Sequence, residues 1–265
     1  MTDDAPFVTL EADEAVCTIT LNRPRARNPL SLAMIEALQG ALASETATRS
    51  NAIVLRGEGP AFSAGHDLKE VQAHRNDADG GRAFYDHLMA QCADLMTGIA
   101  RHPRPIIAEV AGIATAAGCQ LVASCDLAIA GASARFATPG VNIGLFCSTP
   151  MVAVTRAVGR KAAMEMLLTG DMIGADKALE IGLVNKVTPD DELADAVRAL
   201  AQSVTAGSAE AIAYGKSVAA DQMTMSLDDA YRATSDVMAR NLMADDADEG
   251  IDAFLTKRPP QWRSP

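Results

Sequence analysis

The chain has 265 residues, of which 49% are hydrophobic and 22% charged, a composition that supports a sizeable core and excludes a disordered protein. Its length fits one large domain with an appendage better than two full domains. The 34 acidic and 23 basic residues give a formal net charge of −11, which argues against a nucleic-acid partner because phosphate binding needs a basic surface.

The sequence also indicates where the protein resides. No stretch approaches the roughly eighteen consecutive apolar residues of a membrane span, so we expect a soluble protein without a membrane partner. The acidic start, residues 1–4, resembles neither a signal peptide nor an Arg-rich transit segment, which predicts a cytoplasmic location. The five cysteines form no CxxC pair and have no histidine at metal-binding spacing, so we expect reduced thiols and no metal site.

The first elements in chain order are strands and one amphipathic helix. Residues 7–10 and 16–21 are predicted strands on either side of a polar turn, and Pro24 ends the second. Ser31 is a good N-cap for a helix, because apolar residues recur every three or four positions after it. A buried strand follows at residues 52–55.

Strands and helices alternate in the middle of the chain. A glycine-bearing loop at residues 57–65 leads to a long helix whose apolar face includes Leu88. A strand at 106–110, a helix at 116–123 and a strand at 127–130 follow. This alternation predicts an α/β fold with parallel strand pairing.

The C-terminal third is predicted to be helical after a last strand at residues 184–187. No glycine-rich linker precedes it, so we expect these helices to pack on the core or on a neighbouring subunit. Helices are predicted at 151–168, 174–181, 190–205, 208–220, 227–243 and 246–256.

Two segments rich in small residues are candidates for chemistry. Residues 59–68 follow a buried strand, and small residues there would let a ligand approach backbone N–H donors. Residues 110–121 lead from a strand into a helix, whose first N–H groups and dipole stabilise negative charge. Each pattern has an alternative reading, an ordinary strand-to-helix turn for the first and tight helix packing for the second.

Taken together, residues 22–24, 62–68, 112–121 and 125–126 resemble the crotonase superfamily, the enoyl-CoA hydratase and isomerase family. The resemblance extends from about Val8 to the ending at 254–258 and covers nearly the whole chain. Within the superfamily, residues 112–150 look closest to the branch of enoyl-CoA hydratase domain-containing protein 3.

The resemblance implies an α/β fold in which repeated ββα units form a spiral over residues 1–195. Residues 196–265 would form a C-terminal helical region that mediates trimerisation and covers the CoA site. The implied assembly is a homotrimer or a dimer of trimers.

The resemblance also implies a binding site for an acyl-CoA or enoyl-CoA, with CoA as part of the substrate and no further cofactor. The thioester carbonyl would lie between the backbone N–H groups of His66 and Ala117, which stabilise an enolate or tetrahedral oxyanion. Phe254 and Lys257 would reach the nucleotide end from a neighbouring subunit. The other positions implied to contact CoA are Arg25, Ala26, Arg27, Ala64, Asp67 and Leu68.

The two glutamates that the family uses for hydration are absent, because their positions hold Gln120 and Gly140. An amide and a glycine exchange no protons near neutral pH, so hydration by the usual pair is not expected. Three alternatives stay open: classical hydration with another acid or base, other enolate chemistry such as isomerisation, thioester hydrolysis or decarboxylation, and acyl-CoA binding without catalysis. The candidates for a replacement acid or base are His66, Asp67, Glu109, Asp126 and Cys147.

These five residues are not equally suited to act as an acid or a base. The imidazole of His66 is the first choice, because it titrates near neutrality and its backbone lies at the oxyanion position. A carboxylate at Glu109 near an apolar strand would have a raised pKa, although an interface or solvent position fits it better. The carboxylates at positions 67 and 126 are interpreted as turn-forming, and Cys147 as a buried thiol.

Overall fold

The computed structural model describes residues 5–263, so the acidic start at residues 1–4 lies outside the described residues. Ten strands within this range form two sheets. They are β1 Val8–Asp13, β2 Val16–Leu21, β3 Ala52–Gly57, β4 Ala61–Ser63, β5 Ile106–Val110, β6 Ile113–Thr115, β7 Leu127–Gly131, β8 Arg135–Ala137, β9 Ile173–Gly174 and β10 Lys186–Thr188.

Twelve α-helices surround the sheets in the described part of the chain. The helix predicted at 151–168 is two helices, because Gly159 is extended and caps the second one. The helices are α1 Leu32–Leu42, α2 Glu45–Arg49, α3 Leu68–Ala73, α4 Arg82–Arg101, α5 Ala117–Ser124, α6 Ser148–Ala157, α7 Arg160–Thr169, α8 Ala175–Glu180, α9 Leu193–Thr205, α10 Ala209–Gln222, α11 Leu227–Leu242 and α12 Asp245–Thr256.

The larger sheet has the strand order β1-β2-β3-β5-β7-β10. β1 and β2 form an antiparallel hairpin, and every other neighbouring pair is parallel. The predicted strands at 52–55, 106–110 and 127–130 are therefore confirmed, as is their parallel pairing. The last predicted strand, at 184–187, is present at 186–188.

The smaller sheet, β4-β6-β8-β9, was not predicted. Three of its strands each follow closely on a strand of the larger sheet, so that β3-β4, β5-β6 and β7-β8 are each succeeded by helices. The repeated ββα units of the expected fold are thus present. The smaller sheet also places the ends of β4 and β6 side by side.

Two cores lie on opposite faces of the larger sheet. The main core fills the space between the sheets and helices α1, α4 and α5. A second core joins Val54, Ile107 and Ile129 to α9. The predicted division of the chain at 195/196 falls inside this helix and stays a prediction.

The C-terminal helices are tied to the core by Lys216 of α10, which forms an ion pair with Asp126. Helices α10, α11 and α12 pack on one another and expose many large apolar side chains, a surface typical of a protein interface. These side chains are Met223, Leu227, Tyr231, Met238, Leu242, Met243, Ile251, Phe254 and Leu255. The homotrimer stays a prediction. Within residues 5–263, no helix has the length and apolar character to cross a bilayer.

Candidate active site

The loop after β4 is held by the segment that follows β2. Ala64 donates its N–H to the carbonyl of Arg27 at 2.9 Å, and the Ser63 hydroxyl donates to the carbonyl of Asn28 at 2.8 Å. The Asn28 side chain is fully buried and donates to the carbonyl of Ala61 at 2.8 Å. Asn28 and Arg27 both have positive φ, of 50° and 64°, so the chain turns sharply here. These bonds fix the position of the loop at 63–66.

The start of α5 is held against the same loop. Ala116, the residue before the helix, has φ 50° and ψ −118°, and it donates its N–H to the carbonyl of Ala137 at 2.9 Å. A side-chain carbon on Gly118 would lie 2.2 Å from the Ser63 carbonyl oxygen. The small residues are therefore required by tight packing between this helix and β4.

The two segments meet at Gly65, whose φ is +89°. A side-chain carbon on Gly65 would lie 2.9 Å from the side chain of Ala116 and 3.2 Å from the backbone nitrogen of Ala117. Among residues 5–263, the backbone N–H groups of His66 and Ala117 donate to no acceptor. Two unused backbone donors therefore lie on adjoining segments.

The His66 side chain has a defined protonation. Its Nδ1 lies 3.1 Å from the carbonyl oxygen of Leu30, and because a carbonyl only accepts, Nδ1 carries the hydrogen. Burial lowers the pKa of His66, and the bond to Leu30 opposes this shift only in part. The ring is thus neutral near pH 7, and Nε2 is a buried lone pair with no partner in the described chain.

The positions of the missing glutamates are both buried. Gln120 lies on α5, is 3% exposed, and its Oε1 has no partner among the described residues. A side-chain carbon on Gly140 would lie 2.7 Å from the Leu145 carbonyl oxygen and 2.9 Å from the Cys147 sulfur. The space beside Gly140 is therefore already filled. Burial raises the pKa of the Cys147 thiol, which leaves it protonated near pH 7.

Glu109 lies away from this site. In β5, Ala108 and Val110 face the main core, so the alternation of side chains points Glu109 to the opposite face, beside α9. There it lines a groove of about 210 Å³ with Arg56 and Arg198. Burial raises the pKa of Glu109, as expected for a half-buried carboxylate, yet the group faces the wrong side of the sheet to act on the loop at 63–66.

The other two carboxylates have structural contacts. Asp67 caps α3 and accepts the backbone N–H of Lys69 at 2.9 Å. Asp126 accepts the backbone N–H of Ile106 at 2.7 Å as well as pairing with Lys216. These contacts agree with the interpretation that both residues stabilise turns.

The structure brings together most of the positions implied to contact CoA. Residues 25–27 form an exposed turn, and the backbone N–H of Ala64 donates to the Arg27 carbonyl in this turn. Leu68 is 52% exposed at the start of α3. Phe254, 83% exposed, and Lys257 lie instead at the end of α12, which packs on α10 and α11. Within residues 5–263, no group of His, Cys, Asp and Glu side chains is arranged to hold a metal ion.

Sequence reasoning missed two residues of this site. Asn28 has a buried side chain that clamps the loop after β4, and nothing in its charged surroundings indicates this. Thr138 is fully buried beside the start of α5, and its Oγ1 has no partner among the described residues. In the sequence, Thr138 lies between a short apolar segment and Pro139, a pattern that predicts a turn and not a buried polar side chain.

The sequence profile of the enoyl-CoA hydratase/isomerase family matches residues 11–265. The chain belongs to the enoyl-CoA hydratase/isomerase family. Enoyl-CoA hydratase domain-containing protein 3 of Xenopus laevis is 47% identical over 97% of this chain and 86% of its own length. The human protein of that name is 45% identical over 94% of this chain and 81% of its own length.

Solved structures of the family share the fold. An enoyl-CoA hydratase from Mycobacterium smegmatis is 48% identical, with a TM-score of 0.90 over 97% of this chain and 99% of that one. Human enoyl-CoA hydratase domain-containing protein 3 is 44% identical, with a TM-score of 0.90 over 97% of this chain and 100% of that one. The predicted fold class and the predicted likeness to that branch are confirmed.

The same comparison corrects the predicted location. The Xenopus and human relatives are both named mitochondrial, which contradicts the cytoplasmic location predicted from residues 1–4. That prediction is wrong. Composition and net charge indicate only that the chain folds and what surface it has. They do not distinguish a cytoplasmic from a mitochondrial protein.

Proposed function

We propose that this family member binds a CoA thioester and polarises its carbonyl with the backbone N–H groups of His66 and Ala117. The proposal depends on one observation, that Gly65 lies against Ala117 while both N–H groups have no acceptor among residues 5–263. Two such donors stabilise the charge that develops on the carbonyl oxygen, and the loss of one typically raises a barrier by about 2.7–4 kcal/mol.

The CoA moiety is proposed to lie along the exposed turn at residues 25–27 and the segment at 64–68. The bond between Ala64 and Arg27 holds these segments side by side. Arg25 and Arg27 can donate charge-assisted hydrogen bonds to a phosphate group. They place positive charge at this turn in a protein whose formal net charge is −11. Lys257 and Phe254 would add contacts from a neighbouring subunit of the predicted trimer. CoA is part of the substrate, and no further cofactor is proposed.

The reaction is proposed to proceed through an enolate or tetrahedral oxyanion without the usual pair of glutamates. Gln120 supplies an amide, and the Leu145 carbonyl and the Cys147 sulfur fill the space beside Gly140. Both observations speak against efficient hydration. They favour either a different enolate reaction, such as isomerisation, thioester hydrolysis or decarboxylation, or binding without turnover.

Two assays on the purified chain test this proposal. The first follows trans-2-enoyl-CoA to 3-hydroxyacyl-CoA, and the second follows exchange of the α-protons of butyryl-CoA in D₂O. We expect thioester binding, slow hydration by the natural chain and faster hydration by Gln120→Glu. Gln202→Glu, an exposed change on α9, is the matched control and should change nothing.

The outcomes separate the alternatives. Exchange without hydration indicates enolate chemistry, and binding without either activity indicates a silent binder. Hydration by the natural chain at rates typical of enzymes would contradict the argument from the absent carboxylates. Failure to bind any CoA thioester would overturn the proposed function.

A further inference from the structure

The paired strands β4 and β6 end before the two proposed oxyanion donors. Ser63 is the last residue of β4 and pairs with Ala114 of β6, which ends one residue later at Thr115. Beyond these points, the first segment continues through the loop at 63–66 and the second begins α5 at Ala117. Strand pairing therefore does not extend to the residues that carry the donors, and other contacts set the spacing between the loop and the helix.

The direction of each donor is fixed within its own segment. The Gly65 carbonyl accepts the N–H of Leu30 at 2.8 Å. The N–H of a planar trans peptide points opposite to its carbonyl, so the N–H of His66 points away from Leu30. The Ala116 carbonyl likewise accepts a backbone N–H within α5 at 3.0 Å, so the N–H of Ala117 points outward from the start of the helix. These bonds orient each N–H group but leave the distance between the two segments open.

Two contacts of Thr115 limit that distance. A side-chain carbon on Gly65 would lie 2.9 Å from the Thr115 carbonyl oxygen, so the two segments are already in close contact. The Thr115 hydroxyl donates to the Ala64 carbonyl at 3.2 Å, which opposes their separation. Thr115 is only 9% exposed, so water competes little for this bond. Ala64 lies two residues before His66 and Thr115 two residues before Ala117, so the bond joins equivalent points of the two segments.

We infer that Thr115 is a positioning residue, whose hydroxyl holds the two oxyanion donors at the spacing that the thioester carbonyl requires. This inference rests on the proposed function and adds to it the side chain that sets the geometry of the donors. Thr115 acts through the Ala64 carbonyl and not on the substrate. Without its bond, the loop at 63–66 can move away from α5, and a displacement of about 1 Å near a reacting group can lower a rate about a hundredfold.

Three variants of Thr115 test the inference. Thr115→Val keeps the shape of the side chain but removes the hydroxyl, Thr115→Ser keeps the hydroxyl but removes the methyl group, and Thr115→Ala removes both. Butyryl-CoA labelled with ¹³C at the thioester carbonyl reports on the donors, because their hydrogen bonds lower its carbonyl stretching frequency. Calorimetry measures the affinity for this thioester, and urea unfolding measures the stability of each variant.

We expect the carbonyl frequency of the bound thioester to move towards its value in water in Thr115→Val and Thr115→Ala, and to stay near that of the natural chain in Thr115→Ser. Any α-proton exchange by the natural chain should fall at least about tenfold in the first two variants. The affinity for butyryl-CoA should stay within about threefold in all three, because the donors act mainly on the charge that develops during reaction. A merely structural role would instead make the frequency follow the free energy of unfolding, which Thr115→Ser and Thr115→Ala both lower through the missing methyl group.

Thr188→Val is the matched control. Thr188 is also a buried threonine, but it lies on the edge strand β10 of the larger sheet, where its hydroxyl is 3.4 Å from Glu192. This variant should change neither the carbonyl frequency nor the affinity.

The outcomes for the inference and for the proposed function differ. If the natural chain lowers the carbonyl frequency and Thr115→Val and Thr115→Ala lower it equally, the inference is overturned and the proposed function stands. An equal loss of the shift in Thr115→Ser would also overturn the inference, because the hydroxyl would then not be responsible. If the natural chain binds no thioester, or leaves the carbonyl frequency as in water, the proposed function is overturned and the inference with it.

Discussion

Gly65 lies against Ala117, so closely that a side-chain carbon on the glycine would be 3.2 Å from the alanine backbone nitrogen. Gly65 belongs to the loop after β4 and Ala117 begins α5, so this contact joins two segments that are distant in the sequence. The proposed function depends on it, because it brings together two segments whose backbone N–H groups at His66 and Ala117 have no acceptor among residues 5–263.

The first prediction concerns this contact. Gly65→Ala adds a methyl group that meets Ala116 and Thr115 at 2.9 Å, so the two segments must separate and the proposed oxyanion site should be lost. We expect thioester turnover or α-proton exchange to fall by at least about a hundredfold, the loss typical of one oxyanion donor.

Gly80→Ala is the matched control, because Gly80 also has positive φ, +70°, but open space around its α-carbon. Both variants incur the backbone strain of a positive φ, which favours glycine, and only the first has the clash. The unfolding temperature and the activity should therefore decrease more in Gly65→Ala than in Gly80→Ala. Equal effects of the two changes would contradict the proposed role of the contact.

The second prediction concerns Ala116, a non-glycine residue with φ 50° and ψ −118°. An L-residue in this region is strained, which costs of order 1–3 kcal/mol. Ala116→Gly should relieve this strain. The greater conformational entropy of glycine in the unfolded chain offsets part of the gain, so the free energy of unfolding should rise by about 1 kcal/mol. Urea unfolding measures this change in free energy. Ala123→Gly is the control, because a glycine within α5 should destabilise the fold by about 1 kcal/mol. If Ala116→Gly also destabilised the fold, Ala116 would not be strained.

The third prediction concerns the space beside Gly140. Gly140→Ala forces a methyl group to within 2.7 Å of the Leu145 carbonyl oxygen, so it should destabilise the fold by about 1–3 kcal/mol. Gly98→Ala, in an exposed part of α4 with open space, should stabilise it by about 0.5–1 kcal/mol. Denaturant unfolding compares the two. A neutral Gly140→Ala would mean that this position has room for a side chain, and a glutamate could then be restored there.

The fourth prediction is a pH dependence. Burial lowers the pKa of His66 and of His102 below the ordinary value of 6.5. As the pH falls, these histidines therefore take up protons in the unfolded chain before they do so in the folded protein. The free energy of unfolding should be independent of these groups above about pH 6.5 and should decrease below it. The decrease should end at a pH below the pKa of the histidines in the folded protein.

His66→Asn tests the share of His66 in this dependence. Asparagine does not titrate, and its amide can still donate to the Leu30 carbonyl. Urea unfolding between about pH 5 and 7.5 should show a shallower decrease for this variant, with part of the decrease remaining from His102. His87→Asn, at an exposed position of α4, is the control. An unchanged slope in His66→Asn would contradict a buried, neutral imidazole.

Sequence patterns predicted the inner strands of the larger sheet, β2, β3, β5 and β7, because each contains four apolar residues, as at Ile106–Val110. The strands β4, β6, β8 and β9 have only two or three residues each, which is too short for a period of two to be recognised. They are stable because they pair with one another across the fold. The start of α5 was predicted within one residue, since the small residues that mark it are a local feature.

Parts of the candidate site were beyond sequence reasoning for physical reasons. That Glu109 faces α9 follows from the alternation of β5, but only once the main core is known to lie on the side of Ala108. The obstruction at Gly140 depends on how residues 145–147 fold back, and the buried hydroxyl of Thr138 depends on long-range packing. Neither leaves a local pattern in the sequence.

The most direct measurement of the central claim is the carbonyl vibration of a bound thioester. Butyryl-CoA labelled with ¹³C at the thioester carbonyl, bound to the natural chain, should show its carbonyl stretch at a lower frequency than in water, because the N–H groups of His66 and Ala117 draw electron density onto the oxygen. Gly65→Ala should return the frequency towards that in water. A bound carbonyl with the same frequency as in water would contradict the account.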